Sequence, residues 1–238
     1  MLVKALGRSR SPFWPPATDP DNRPAAIGTS LTTDRLVNSW YDRQMGMSPA
    51  RFAMSELSKI VQRCNPDFDS ARAISWQVEG PVAESWHQWM KDLFEPLLLP
   101  HLLRVLDFSA RQSAREIILL DAELNRNMKS WPRQRSVDAG RLLLQHSTPR
   151  GERLMARLQE AIQTGVAFGH FATLYGVRCG AFSIPVRTAI LGYLVQELSV
   201  GAPDETGRLK LLEASVGSVN EFLRISANGS TEGLRFHG

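Results

Sequence analysis

Apolar residues at helical spacing run through most of this chain and decide its fold class. The spacing is clearest after Pro185, which suits the first turn of a helix because a missing N–H costs nothing there. The apolar residues that follow are Val186, Ala189, Ile190, Tyr193, Leu194 and Leu198. A second amphipathic set is Val82, Trp86, Trp89, Met90 and Leu93. Because strand alternation is nowhere sustained, we predict an all-α fold, a single-domain bundle of about ten helices.

The domain organisation follows from where this spacing begins and ends. Residues 1–33 are rich in proline and lack periodicity, so we expect them to be disordered or extended. Residues 34–225 are predicted to form the helical domain. Residues 226–238 are expected to be an irregular C-terminal tail, since they contain the turn sequence Asn228-Gly-Ser.

Breaking residues set the expected helix boundaries. Ser48-Pro49 opens a helix to about Arg63, and a second is expected over 70–78. Pro96 and Pro100 are expected to separate the tryptophan-bearing helix from the next. The remaining helices are expected over 101–112, 114–129, 134–146, 150–163, 165–175, 185–198 and about 209–223, with a loop over 178–180.

The net charge of +4 comes mainly from arginine. Nucleic-acid binding would need aromatic residues interleaved with the basic ones, and only Trp131 lies near the densest basic region, so no nucleic acid is expected as a partner. No apolar run approaches the ~18 residues of a membrane span, and no secretory signal is recognisable. We therefore expect a cytoplasmic protein without membrane contact. The basic region holds Arg133, Arg135, Arg141, Arg150 and Arg153, against Asp138 and Glu152.

Residues that usually carry catalysis or metal binding are sparse. The chain has no Gly-x-x-x-x-Gly-Lys loop, no Gly-x-Ser-x-Gly elbow and no His-Glu-x-x-His, and its five histidines never lie three or four positions apart. Cys64 and Cys179 are distant and outside any Cys-x-x-Cys, so neither a disulfide framework nor a zinc site is expected. We predict no catalytic residue, no metal and no cofactor.

One enzymatic alternative stays open. His170 lies between Phe168 and Phe171, and apolar neighbours lower the pKa of an imidazole. A helical enzyme could use His170 as an acid or base, provided that a pocket joins it to a second polar group such as Tyr175 or Glu197.

Several segments, in the same order along the chain, resemble the UreF family of urease accessory proteins over most of residues 66–225. The segment Arg133-Gln-Arg-Ser136-Val-Asp-Ala-Gly140-Arg141-Leu-Leu-Leu144 is similar to the Arg-x-x-Ser-x-x-x-Gly-Arg-x-Leu-Leu helix of that family. Leu119-Leu-Asp-Ala-Glu-Leu124 is similar to its Leu-Asp-x-Glu-Leu helix. The segment 181–194 resembles its Gly-Ile-Pro…Ala-Leu-Leu-Ala-Tyr-Leu segment. The matching positions, with structural or interface roles, are Phe68, Arg133, Ser136, Gly140, Arg141, Pro185 and Tyr193.

Two regions depart from the family pattern. Where the family has Pro-x-Gly-Gly-Phe-Ser…Gly-Leu-Glu, this chain has Pro66-Asp-Phe68-Asp and then Ala73-Ile74-Ser75, so a serine occupies the acidic position. The segment 177–180 looks inserted, and about ten family residues are missing between 198 and 201. Whether these altered regions keep their function is left open by the sequence.

The resemblance implies a chaperone rather than an enzyme. UreF-like proteins dimerise, join a UreD/UreH scaffold and recruit the UreG GTPase to apo-urease, where they assist GTP-dependent nickel delivery. A homodimer with these three partners is therefore expected. From the residues alone a helical adaptor remains an alternative, and it requires the arginines of 133–153 to share one exposed face.

Overall fold

The structure, a computed structural model, describes residues 49–66, 75–76, 78–146, 152–201 and 204–232. The described residues all belong to one compact unit, Gly46–Gly238. Those residues form helices joined by turns, without a strand, which confirms the all-α prediction. The segment 1–33, predicted to be disordered or extended, lies outside the described residues.

The described part of the chain contains eight helices, rather than the ten predicted. They are α1 (Pro49–Cys64), α2 (the consecutive segments Val82–Trp89, Met90–Leu98 and Leu99–Ala110), α3 (Ala114–Asn127), α4 (Ser130–Leu143), α5 (Glu152–Gln163), α6 (Phe171–Ala181), α7 (Val186–Gly201) and α8 (Glu205–Glu232).

The first error in the predicted number concerns helix α2, which continues through both prolines that were expected to break it. Pro96 lies in the segment Met90–Leu98, which has the wide turn of a π-helix. A proline ring in an α-helix collides with the carbonyl four residues before it, and a wider turn relieves that collision. Pro100 lies in the first turn of Leu99–Ala110, at the position where proline is tolerated.

The second error concerns the helix predicted over 70–78. Ser75, Trp76 and Val78 are not helical, and the other residues of that range lie outside the described residues. At the other end of the domain, the backbone of α8 is helical to Glu232, so the tail expected to be irregular from residue 226 is helical over its first part.

Helix α6 was placed wrongly by the sequence analysis. We expected a helix over 165–175 and a loop over 178–180, whereas residues 166–170 are non-helical and α6 includes the whole of 177–180. Arg178, in the segment expected to be a loop, is buried and donates to the carbonyl oxygens of Cys64 and His146. A charged residue with such partners is compatible with a buried helix.

Helix α6 lies at the centre of the described domain. All of its residues from Phe171 to Cys179 are buried. It packs against α2 and α4, while α7 packs against α1 and α8. No helix within the described ranges is long and apolar enough to cross a membrane.

A stack of aromatic rings runs through the core. Ring centroids lie 4.8 Å apart between Trp76 and Trp86, 4.7 Å between Trp86 and Trp89, and 5.3 Å between Trp89 and Phe94. Phe94 in turn lies 6.2 Å from Tyr193. Aromatic pairs at these distances stabilise a core beyond the apolar area that they bury. All five residues are buried, so the stack belongs to the core.

Candidate functional site

Asp121 of α3 is a buried carboxylate that fixes the start of α6. It accepts hydrogen bonds from the backbone N–H groups of Phe168 (2.6 Å), Gly169 (2.8 Å) and His170 (3.0 Å). It also accepts one from the Thr173 hydroxyl (2.7 Å). His170 is the residue immediately before α6, where an N–H has no partner inside the helix and the helix dipole favours a negative charge. Phe168 and Gly169 precede it, so Asp121 holds the backbone that leads into α6 from a different helix.

Two of the family-motif positions on α4 contact the same helix start. The Ser136 hydroxyl accepts a hydrogen bond from the N–H of Phe171 at 3.2 Å. Gly140 lies so close to Gly169 that a Cβ in its place would be 1.9 Å from the Gly169 carbonyl oxygen. The serine satisfies one more free N–H, and the glycine permits α4 to approach the backbone before α6.

Two buried histidines lie on either side of Asp121. His101 Nε2 is 3.0 Å from Thr173 Oγ1, and because the Thr173 hydroxyl donates to Asp121, His101 is the donor to Thr173. Burial lowers the pKa of His101 to about 4. Burial also lowers the pKa of His170, whose Nε2 lies 3.3 Å from Asn125 Oδ1. Both imidazoles are neutral near pH 7. We call His101, Asp121, Ser136, Gly140, His170 and Thr173 the α6 N-terminal cluster.

The acid–base site that His170 suggested is not assembled. The Tyr175 hydroxyl donates to the carbonyl oxygen of Ala189 at 3.1 Å, and Glu197 accepts hydrogen bonds from Ser75. His170 does not line the clefts beside Trp131, Leu119 or Pro185. Within the described ranges, no group of three or more His, Cys, Asp or Glu side chains is placed to hold a metal ion. His170 instead donates its backbone N–H to Asp121, and its Nε2 lies beside Asn125 Oδ1.

Ser75, which departs from the family pattern, is buried and hydrogen-bonded within the protein. Ser75 donates through Oγ (2.6 Å) and its backbone N–H (3.1 Å) to the buried Glu197 carboxylate. Burial and this carboxylate raise the pKa of the adjacent Tyr193.

Pro185 is exposed, and its carbonyl accepts the Ala189 N–H at the start of α7 (2.9 Å). The shortened region 198–201 forms the end of α7. Outside the described residues lie Phe68, Ala73 and Ile74.

The arginines between residues 133 and 153 do not act as one set. Arg133 donates through Nε to the Met128 carbonyl at 3.0 Å and so links α4 to the end of α3. Arg135 lies over the Trp131 ring, 5.3 Å from its centroid. The adaptor hypothesis required all of these arginines on one exposed face, and Arg133 is partly buried on an internal contact. The others are Arg141 and Arg153, both exposed, and Arg150, outside the described residues.

A groove between α3 and α5, which we call the α3–α5 groove, opens on the surface of the domain. Leu119 and Val166 are 59% and 60% exposed there. Neither Arg115 nor Arg157 forms an ion pair with any described residue. The groove thus offers apolar surface and positive charge that the described part of the chain does not itself use. It encloses about 560 Å³ and is lined by Ala114, Arg115, Ile118, Leu119, Arg157, Glu160, Ala161, Thr164 and Val166.

From the sequence, Asp121 is expected, like Glu116 and Glu123, to be a solvated helix charge. The structure contradicts this prediction for Asp121, which is 1% exposed. A helical carboxylate usually points to solvent, whereas Asp121 lies four positions after Ile117 and three before Leu124, both buried. An acidic residue on the apolar face of a helix was the signal that could have found it.

Comparison with known families bears on the same region. Residues 82–199, about half of the chain, match the family model of UreF. No curated protein sequence and no solved structure matches the chain. The matched region contains α2 to α6 and most of α7, and with them the whole α6 N-terminal cluster. This match agrees with the all-α fold and with the ordered motifs, and the chain belongs to the UreF family of urease accessory proteins.

Proposed function

We propose that this chain is a non-enzymatic assembly factor for urease. In this proposal it bridges a UreD/UreH-type scaffold and a UreG-type GTPase, and so assists nickel delivery to apo-urease. The observation that carries the proposal is the UreF family match over residues 82–199. Nickel is the cargo of this process and GTP is hydrolysed by the GTPase, so the proposal requires neither a metal site nor a nucleotide site on this chain.

We assign partner contact to the α3–α5 groove. Leu119 and Val166 expose apolar surface, and covering such surface stabilises a complex by about 25 cal/mol for each Å² removed from water. Exposed apolar patches rimmed by polar residues are typical of protein interaction sites.

Charge identifies the kind of segment that fits this groove. Arg115 and Arg157 line it without ion-pair partners among the described residues, and they face a single acidic lining residue, Glu160. Opposite charge on a partner would increase the association rate and favour the correct orientation. The occupant that we propose is an amphipathic helix of a protein partner, with acidic residues beside its apolar face.

Size-exclusion chromatography with light scattering tests the proposed function. We expect the chain alone to have the mass of a homodimer. We expect a stoichiometric complex at micromolar concentration when the UreD/UreH-type and UreG-type proteins of the same organism are added. Unchanged elution of the chain in the presence of both proteins would contradict the bridging role.

A matched pair of variants tests the assigned surface separately. Leu119→Asp places a charge in the α3–α5 groove, whereas Ile225→Asp places one on α8 at a residue of nearly equal exposure, 57%. We expect Leu119→Asp to weaken the complex at least tenfold and Ile225→Asp to leave it unchanged. Equal affinities for the two variants would move the contact to another surface while leaving the bridging role intact.

A further inference from the structure

Cys64 and Cys179 are in contact, although 115 positions separate them in the chain. Cys64 is the last residue of α1 and Cys179 lies in α6. Their sulfur atoms are 3.5 Å apart, and both residues are fully buried as free thiols. Neither cysteine belongs to a Cys-x-x-Cys motif, so no sequence pattern pairs them.

The two thiols have different surroundings. The S–H of Cys179 donates to the sulfur of Cys64, and this bond, with the nearby Arg178 guanidinium, lowers the pKa of Cys64. Burial raises the pKa of Cys179. Arg178 is held at the pair because its Nε donates to the carbonyl oxygen of Cys64 at 2.5 Å. The thiolate is the nucleophilic form of cysteine. Cys64 is therefore the residue suited to attack an oxidant first, and Cys179 is suited to attack the oxidised sulfur of Cys64 afterwards.

We propose that Cys64 and Cys179 form an oxidative modification site, at which a hydroperoxide converts the two thiols into an intramolecular disulfide. The chemical class of co-reactant follows from burial, because a hydroperoxide is small enough to reach a covered thiol during local opening of the helix end. A bulky disulfide such as oxidised glutathione is expected to react far more slowly. The inference is independent of the role in urease assembly.

The reaction balances in two steps. The Cys64 thiolate attacks one peroxide oxygen, so that an S–O bond forms, the O–O bond breaks, and an alcohol (or water, from hydrogen peroxide) leaves with a proton. The Cys179 sulfur then attacks the sulfenic acid on Cys64, which forms the S–S bond, breaks the S–O bond and releases water. The two thiols lose two electrons and the peroxide gains them.

The structure requires only a small movement for the second step. A disulfide bond is about 2.0 Å long, so the sulfurs must approach by about 1.5 Å from their present separation. The product would join the end of α1 to the central helix and close a long loop, which restricts the unfolded chain.

The test uses the full-length chain, reduced, freed of reductant and treated with hydrogen peroxide at neutral pH. Thiols are then alkylated under denaturing conditions and peptides are mapped by mass spectrometry. We expect both cysteines to be protected from alkylation, one linked peptide containing Cys64 and Cys179, and full reversal by dithiothreitol. The melting temperature of the oxidised form should rise by about 10 °C. Persistent free thiols, links between chains, or conversion of the cysteines to sulfinic acids would each overturn the proposal.

Single substitutions test the assigned order of attack. In Cys179→Ser a sulfenic acid should persist on Cys64 and be trapped by dimedone. In Cys64→Ser the remaining Cys179 should react with peroxide at least tenfold more slowly than Cys64 does in Cys179→Ser. Equal rates for the two variants would overturn the assignment of Cys64 as the attacking thiol. Should either variant fail to fold, the comparison of peroxide with oxidised glutathione on the unmodified chain still decides the proposal, because equal rates would contradict it.

Discussion

The side chains on one face of helix α3 have bonding partners within the chain, whereas those on the other face are exposed. On the inner face, Asp121 is 1% exposed and accepts hydrogen bonds from three backbone N–H groups and one hydroxyl. On the outer face, Leu119 is 59% exposed, and Arg115 has no ion-pair partner among the described residues. The inner face determines where α6 begins. The apolar surface of the outer face, in contrast, is removed from water only when another molecule covers it. Substitutions on the two faces should therefore have different consequences.

The largest effect on stability is expected for Gly140→Ala in the α6 N-terminal cluster. The new Cβ would lie 1.9 Å from a backbone oxygen, so α4 would have to move away from α6. We expect the free energy of unfolding to fall by more than about 3 kcal/mol, measured by urea denaturation. Gly217→Ala is the control, because no atom lies within 4 Å of a Cβ at that exposed helical site. It should stabilise the protein by up to about 1 kcal/mol, and a similar loss in both variants would contradict the close contact.

The second effect is a loss of stability in mild acid. His101 has a pKa of about 4 when folded against an ordinary value of 6.5, so between these values the unfolded chain binds more protons than the folded one. The contribution of His101 to the free energy of unfolding is therefore fully present above pH 6.5. It is lost as the pH falls towards 4, and the loss amounts to up to about 3 kcal/mol. His170 acts in the same direction, since burial lowers its pKa too.

The variant His101→Gln isolates this contribution, because glutamine keeps a donor for Thr173 but does not titrate. We expect urea denaturation at several pH values to show a shallower decline for His101→Gln than for the unmodified chain. Identical slopes for His101→Gln and the unmodified chain would show that His101 is not the buried neutral group described.

The third effect is a loss of stability when the Asp121 carboxylate on the inner face of α3 is replaced. Asp121→Asn keeps the shape of the side chain but replaces one acceptor oxygen by an N–H₂ group that faces N–H donors. We expect a loss of about 2 kcal/mol in the free energy of unfolding. Glu123→Gln removes a half-buried carboxylate on the same helix, whose ion-pair partner among the described residues is Arg104, and should cost less than about 1 kcal/mol. Equal losses for the two variants would contradict a capping role for Asp121.

The smallest effect on stability is expected on the outer face. Leu119→Asp changes a largely exposed side chain, so the free energy of unfolding should stay within about 0.5 kcal/mol of the original value. Thermal denaturation beside Ile225→Asp measures this directly. A loss above about 2 kcal/mol for Leu119→Asp alone would show that the outer face belongs to the fold and is not available to a partner.

The parts of this structure that sequence reasoning predicted depend on local patterns. Helical spacing gave the fold class, and Ser48-Pro49 marked the start of α1 within one residue. The errors lie where the deciding partner is distant in the chain. Arg178 is helical and buried because carbonyl oxygens 114 and 32 positions away receive its N–H groups.

The α6 N-terminal cluster shows the same limit. Its donors lie 47 to 52 positions beyond Asp121, so no local pattern connects them. Likewise, the course of α2 through Pro96 depends on a π-helical turn, which the expected effect of a proline does not predict. The ordered family motifs were informative because they combine such distant positions in one pattern.

Urease activation in a reconstituted system tests the central claim most directly. Apo-urease, nickel, GTP and the UreD/UreH-type and UreG-type proteins would be combined without this chain, with it, and with Leu119→Asp or Ile225→Asp in its place. The account predicts that urease activity rises when the chain or Ile225→Asp is present and stays near the background level with Leu119→Asp. Equal urease activity with and without the chain would contradict it.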